Sequence, residues 1–272
     1  LWQYLPVFLC LAICLVRKMR GVQISKNDEL ILPSVSILVP VLNEENNAAE
    51  FMKRLNNQSV KAHEIIVIDG GSTDESVQKF KDAGARVIHC ETRGRGNQLV
   101  QGLKQASGEA VLILHADMLP QDNVVEKTAR ALAADGNLVG GVLGARFQSD
   151  KFKYKVISFL NKLRVVLSGV SFGDQGQFFR RKIALEHNCL PAIPLMEDVE
   201  LGMRLQAVGK TCLLDGGLEV SVRRWKSKNV WSNALHIFFL LSRYLVLRRV
   251  QKSLKVDKFY DEYYSDEGAE TA

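Results

Sequence analysis

No two cysteines in this 272-residue chain stand at Cys-x-x-Cys spacing, and the five present, Cys10, Cys14, Cys90, Cys189 and Cys212, are odd in number and scattered. That pattern argues against a disulfide framework or a thiolate zinc site and reads as buried free thiols in a reducing compartment. The chain also lacks an internal repeat, and its only low-complexity stretch is the acidic tail over residues 257–272. A strongly basic surface interleaved with aromatics is missing too, which argues against a nucleic-acid partner. What remains is an ordinary folded composition, 47% hydrophobic and 24% charged, long enough to bury one sizeable core: one catalytic domain with appendages.

The net charge of +6 has a location. Arg17, Lys18 and Arg20 follow one apolar stretch, and Arg248, Arg249, Lys252 and Lys255 follow another, which points to anionic lipid or a phosphorylated substrate. Leu1 to Val16 carries no charge; it is slightly short of the about 20 residues that span a bilayer, and because the chain begins without Met an upstream portion is expected. A signal peptide would place its positive residues before the apolar run, whereas here they follow it. Residues 1–20 therefore read as a membrane anchor with its basic flank, and the domain after it, on the cytoplasmic face; a buried core helix is the alternative. Residues 21–33 form a linker, 34–226 the catalytic domain and 227–256 an amphipathic C-terminal helix. Asn229 to Leu247 is long enough to span, but Arg243 within it would cost about 2.5 to 3.5 kcal/mol at a helix centre. The expectation is a helix lying on anionic lipid through Trp231, Phe238, Phe239 and Tyr244.

Between these ends, apolar runs alternate with helical patterns. Ser34–Val41, Glu64–Asp69, Arg86–His89 and Ala110–His115 read as strands, and a further strand is expected over Gly140–Phe147. Helices are expected from Asn43 to about Asn56, after Ser72-Thr73 with Glu75 as a capped start, after Gln98 to about Ala106, and over Val199–Val208 with Glu197 and Asp198 at its start, while Phe152–Leu167 reads as an amphipathic stretch. Strands that are apolar throughout suit burial on both faces, so the first half predicts an α/β, Rossmann-like, mostly parallel sheet flanked by helices. Ligands of such sheets bind beyond the carboxyl ends of the strands, where Pro40, Asp69 and Asp117 fall.

Several residues at those ends suit one chemistry. Asp69 precedes Gly70-Gly71, where backbone can approach a ligand closely, and its carboxylate suits a base or ribose edge; ordinary turn formation is the alternative. Asp117 can hold a hard divalent cation together with two phosphates of a nucleotide. His115, two residues earlier, is either a second ligand, favouring Mn2+ over Mg2+, or only orients Asp117 or packs on the sheet. Arg93-Gly94-Arg95-Gly96-Asn97 offers flexible backbone and two guanidinium groups before a helix, suited to a diphosphate, although a solvated basic turn looks similar. Glu197 and Asp198 either cap their helix or supply a general base, set in a semi-dry pocket by the stiff Pro191–Met196 approach.

Taken together, Ile37–Glu44, Ile68–Asp74, Leu114-His115-Ala116-Asp117, Phe172-Gly173-Asp174-Gln175 and Met196–Glu200 resemble the family 2 glycosyltransferases of GT-A fold. The run from Arg93 and the closing Arg223-Arg224-Trp225 are most similar to a branch labelled arsenosugar biosynthesis glycosyltransferase, and the likeness covers roughly residues 34–260. The resemblance implies an inverting transferase that uses a nucleotide diphosphate sugar and Mg2+ or Mn2+. By the same likeness Pro40, Asn43, Glu44 and Asp69 hold the nucleotide, Asp117 the metal, and Asp198 is the base with Glu197 as its fallback. Arg224 and Trp225 resemble an Arg-Trp element near the acceptor, where guanidinium binds diphosphate and indole stacks on a sugar; a membrane-interface role is the alternative. The family's acidic pair at the metal reads His-Ala-Asp here. The acceptor, lipid-linked or small, is left open, since fold and motif do not fix substrate.

Two other functions compete. A sugar-nucleotide pyrophosphorylase needs a Gly-rich, Arg- and Lys-bearing first loop, whereas this one is Pro40-Val41-Leu42-Asn43-Glu44. A degenerate transferase serving as a membrane scaffold fits His115 in place of an acid, but not the intact Asp117 and Asp198.

Overall fold

A computed structural model describes residues 30–147, 151–168, 170–214, 216–220 and 239–248. The proposed anchor, the linker up to residue 29, the Arg224-Trp225 pair and the acidic tail lie outside the described residues. So do Trp231 and Phe238.

Seven strands form the main sheet, in the order β3-β2-β1-β4-β8-β6-β9. They are β1 (Val35–Val41), β2 (Glu64–Asp69), β3 (Arg86–His89), β4 (Ala110–Ile113), β6 (Leu138–Val142), β8 (Gln177–Arg180) and β9 (Lys210–Leu213). β1, β2, β3 and β4 pair in parallel, β6 pairs with β9 in parallel, and β8 runs antiparallel to both β4 and β6. The mostly parallel expectation holds, with β8 as the reversed strand. A second sheet, β5-β10-β7, joins β5 (Met118–Pro120), β7 (Ala145–Phe147) and β10 (Leu218–Val220).

Side-chain alternation along β1 divides the core. Val35, Ile37, Val39 and Val41 face one layer with helices α1 (Glu45–Asn56), α2 (Ser76–Asp82) and α4 (Val124–Ala134). Leu38 faces the other, with α3 (Arg95–Gln105), the short α6 (Arg181–Glu186) and α7 (Glu197–Val208). Phe51 and Phe80 close the first layer edge to face, with ring centroids 6.5 Å apart. Each fully buried side chain of this size stabilises by about 1.5–3 kcal/mol, which is why the apolar runs settle as interior strands. Cys90, Cys189 and Cys212 are buried free thiols, as expected, and burial pushes Cys212 up to about 12.

Three local expectations need correction. The strand expected over Gly140–Phe147 is two strands in different sheets, broken at Leu143-Gly144, where Gly144 adopts a φ of 81°. The helix after Ser72-Thr73 begins at Ser76 without a side-chain cap at Glu75; instead Asp74 Oδ1 accepts from the Ser76 N–H at 2.9 Å. Residues 239–248, here α8, are helical, but Leu240, Leu241 and Tyr244 pack on Val199 and Met196 instead of facing lipid. Phe239 and Val246 remain exposed. Among the described residues no helix is long and apolar enough to cross a membrane. Helix α5 (Phe152–Ser168) covers the amphipathic stretch to within a residue.

Candidate active site

The chain steps from β1 to β2 to β3 on one side and returns through α3 to β4 on the other side of β1. The crevice between β1 and β4 is therefore the topological switch point of the sheet. Pro40 is buried within β1, and Asn43 and Glu44 follow at its carboxyl end. Two loops are laced together there. Asn43 Oδ1 accepts from the Thr73 N–H at 2.9 Å, the Ser72 hydroxyl accepts from the Asn43 N–H at 3.0 Å, and the Ser76 hydroxyl accepts from the Glu44 N–H at 2.7 Å. Asp74 Oδ2 adds the Glu45 N–H at 3.1 Å. Asn43 holds a φ of 54°, which its short polar side chain tolerates better than most.

Asp69 ends β2 with 2% exposure. Burial alone would raise its pKa, but bonds from Ser72, Gly71 and His89 outweigh it and hold the carboxyl below the usual range. The Gly71 N–H lies at 3.2 Å, the Ser72 N–H at 3.1 Å and His89 Nδ1 at 3.1 Å. The turn-forming role and a charged ligand-facing role thus coexist in one side chain. Gln98, which carried no role in the sequence, donates to the carbonyls of Val41 at 3.0 Å and Ile68 at 2.7 Å and so pins the ends of β1 and β2 together.

The Arg93–Asn97 stretch behaves differently from a free phosphate loop. Arg95 pairs through Nε with Glu197 Oε1 and reaches Asp198 Oδ2 with Nη2 at 3.5 Å. Gly96 is buried beneath the Pro191–Pro194 segment; a Cβ there would stand 2.2 Å from the Ile193 carbonyl oxygen. Its missing side chain is explained by this close packing.

Opposite these loops, His115 and Asp117 follow β4, with Asp117 half-buried. The short 3-10 turn Gly173–Gln175 precedes β8, and Glu197 and Asp198 open α7. These pieces converge. Asp198 Oδ2 accepts from the Gly173 N–H at 2.7 Å and its Oδ1 from the Val199 N–H at 2.7 Å. The space in front of Gly173 is taken by the His115 ring: a Cβ on Gly173 would stand 2.6 Å from His115 Nε2 and 3.4 Å from Asp198 Oδ2. His115 thus stands beside Asp198 as well as near Asp117 in sequence.

Two carboxyls in this cluster are held well above the usual carboxylate range. Burial, partly countered by Arg164 and reinforced by Asp198 and Asp117, pushes Asp174 up to about 6. The residue is half-buried overall, yet its Oδ1 is enclosed with no hydrogen-bond donor. Burial, partly countered by Arg95 and reinforced by Asp198, pushes Glu197 up to about 7, and its Oε2 likewise lacks a donor. Glu197 has no exposed surface, whereas Asp198 retains 6%. Arg164 on α5 faces Asp174 and Asp198, stacks on Phe172 at 3.7 Å and donates to Gln175 Oε1 at 3.4 Å. Burial lowers it to about 10, so it stays charged at neutral pH. Two signals mark these missed residues in the chain: Asp174 is the lone charge between Val170 and Phe179, and Arg164 lies two helical turns from the inward-facing Ile157.

Comparison with known proteins follows the same lines. A sequence profile described as "Glycosyl transferase family 2" matches residues 36–190. An undecaprenyl-phosphate 4-deoxy-4-formamido-L-arabinose transferase from Enterobacter sp. (strain 638) is 27% identical over 157 residues, 54% of this chain and 47% of that protein. A dolichol-phosphate mannosyltransferase from Pyrococcus furiosus is 26% identical over 134 residues, 46% of this chain and 38% of that protein. The chain thus spans about half the length, or less, of these curated relatives. Among solved structures, a mannosyltransferase from Pyrobaculum calidifontis in complex with GDP-Man and Mn2+ superposes with a TM-score of 0.59 at 19% identity, covering 81% of this chain and 63% of that one. The glucosyl-3-phosphoglycerate synthase of Mycobacterium tuberculosis with Mn2+, UDP and glucosyl-3-phosphoglycerate gives 0.53 at 20% identity, covering 77% and 80%. At such identity the likeness is one of fold, and the α/β, GT-A-like architecture expected from the sequence is borne out.

Proposed function

The chain belongs to glycosyl transferase family 2, and from that premise we propose that it moves a sugar from a nucleotide diphosphate sugar to an acceptor, with inversion and with Mg2+ or Mn2+. The observation that carries the proposal is the convergence of Asp117, the Gly173-Asp174 turn and the Glu197-Asp198 helix start beside the switch point of the sheet. The laced loops of Asn43, Glu44 and Asp69 form the nucleotide side of the crevice.

The residues fit a hard cation. Asp117 supplies a carboxylate, and the enclosed, donorless Asp174 Oδ1 lies in the same acidic neighbourhood. Among the described residues no three His, Cys, Asp or Glu side chains gather as a ready-made metal cage, so Asp117 would hold the cation together with oxygens of the donor diphosphate. Bound there, such a cation would supply positive charge to the leaving diphosphate.

Asp198 takes the proton of the acceptor hydroxyl as that oxygen attacks the anomeric carbon. Gly173 and Val199 orient its carboxylate, and Arg95 adds positive charge beside it. Glu197, enclosed behind Arg95, is less suited to reach an acceptor. Arg224 and Trp225, outside the described residues, remain acceptor-side candidates by family likeness.

The names of the relatives, undecaprenyl-phosphate and dolichol-phosphate transferases, support a lipid-linked acceptor over a soluble one; the base role of Asp198 applies where the attacking group of that acceptor is a hydroxyl, since a lipid phosphate attacks through an oxygen already largely ionised at neutral pH. The narrower arsenosugar-branch resemblance rests on the Arg93 and Arg223-Arg224-Trp225 runs alone. A lipid acceptor accords with residues 1–20 as a membrane anchor and the catalytic domain on the cytoplasmic face. Hydrolysis of UDP- and GDP-sugars with Mn2+ present or chelated tests the enzyme against a scaffold: the proposal expects metal-dependent turnover, and none with any donor would contradict it. Flotation of the full chain and of a chain lacking residues 1–20 with anionic liposomes tests the anchor.

A further inference from the structure

Glu200 takes no part in the crevice, yet it is 4% exposed and heavily engaged. Its carboxylate accepts from the Tyr244 hydroxyl at 3.0 Å, from Arg204 Nε at 3.2 Å, and from Arg248 through both Nε and, at 3.2 Å, Nη2. Burial would raise its pKa, but these donors, Arg248 foremost, hold it below the usual range, so it is a charged and paired group. Two of the three partners belong to α8.

The rest of α8 presses on the same place. Leu240, Leu241 and Tyr244 pack with Val170, Leu195, Met196 and Val199. Leu195 and Met196 lead into Glu197, Val199 supplies an N–H to Asp198, and Val170 leads toward the Gly173 turn that supplies the other. Met196 has a φ of 64°, a left-handed conformation that a side-chain-bearing residue keeps only where its surroundings hold it. It is buried in the layer that α8 covers.

We propose that Glu200 is a positioning residue: by clamping α8 through Tyr244 and Arg248 it holds the Met196–Val199 turn, and so keeps Asp198 in its bonds to Gly173 and Val199. Efficient sugar transfer then requires the C-terminal helix to be seated. The kinetic part of this inference rests on Asp198 as the base; the structural part does not.

The test compares the full chain with Glu200→Gln, Arg248→Gln and Arg248→Lys, by amide hydrogen exchange and by Mn2+-dependent hydrolysis of UDP-glucose and GDP-mannose. Exchange at the Gly173 and Val199 amides is expected to rise about tenfold or more in the two glutamine variants, while Val67 and Ile88 in the distant strands stay protected. The kcat should fall about 10- to 100-fold with KM unchanged, as for a misplaced catalytic group, and Arg248→Lys, which keeps the charge but not the two-point contact, should recover part of the loss. Faster exchange at all four amides would mean general loosening and overturn the proposal. Unchanged exchange at Gly173 and Val199, or unchanged kcat, would overturn it as well. Failure of the base assignment shows separately, as full turnover in Asp198→Asn whatever the exchange at Gly173 and Val199.

Discussion

The main-chain N–H of Gly173 donates to Asp198 Oδ2 at 2.7 Å, fastening the turn before β8 to the start of α7 at the carboxylate itself. A methyl group on Gly173 would stand 2.6 Å from His115 Nε2, so the ring must move, while Asp198 Oδ2 at 3.4 Å is at ordinary contact distance. Gly173→Ala is expected to lose about 1–3 kcal/mol of stability from overpacking. Turnover should fall further, about 10- to 100-fold, because the shifted ring crowds the space beside Asp198. Denaturant unfolding alongside steady-state kinetics separates the two effects, and unchanged values of both would show that His115 yields freely.

Glu197 makes stability depend on pH with a definite sign. Its folded-state pKa, raised by burial to about 7, lies above its ordinary value of 4.5. The folded chain therefore holds a proton that the unfolded chain has released. The associated stability is fully present below about pH 4.5 and is lost as pH rises through about 7. Glu197→Gln has no such proton to lose. The melting temperature of the variant relative to the parent should climb between pH 5 and pH 8, by a few degrees for each roughly 1 kcal/mol recovered. A difference that stays flat with pH would place the carboxyl in a far more polar setting.

Gly96 separates packing from ligand binding. A Cβ at this position meets the backbone of Ile193 and Pro191, which cannot swing aside as a long side chain can. Gly96→Ala is expected to cost about 1–3 kcal/mol, visible in urea unfolding. Its folded fraction should still bind UDP with Mn2+ if the glycine serves the Pro191–Pro194 segment alone.

Asp117→Ala should abolish Mn2+-dependent binding of UDP or GDP, read by calorimetric titration. His115→Ala should spare that binding and lower turnover, because the ring lies against Gly173 beside Asp198. Loss of metal-dependent binding in His115→Ala would make the imidazole a true ligand instead.

Much of this architecture was legible in the chain. Glu64–Asp69 and Arg86–His89 were bounded to the residue, because continuous apolar runs ending in a charge or a turn mark interior strands. Glu197 was placed at the start of α7 by the proline-stiffened approach and the apolar spacing after it. The second sheet was not legible. Its strands, Met118–Pro120, Ala145–Phe147 and Leu218–Val220, are three residues each, too short to show a period, and they pair across about 70 to 100 residues of chain. The partners of the carboxylates were hidden for a related reason. Arg95 lies 103 residues from Asp198, Gly173 25 residues away, and Tyr244 44 residues from Glu200, so only the fold brings them together. Amphipathicity marked the C-terminal helix but did not reveal that its apolar face is spent on α7.

The most direct measurement is Asp198→Asn, assayed for turnover with a saturating acceptor and for donor binding by titration of UDP with Mn2+. Turnover is expected to fall by a factor of about 100 to 10,000, the contribution of one general base. Nucleotide binding should stay near the parent value, since Asn43, Asp69 and Asp117 lie on other elements. Full turnover in the variant would contradict Asp198 as the base and move that role to Glu197 or Asp174.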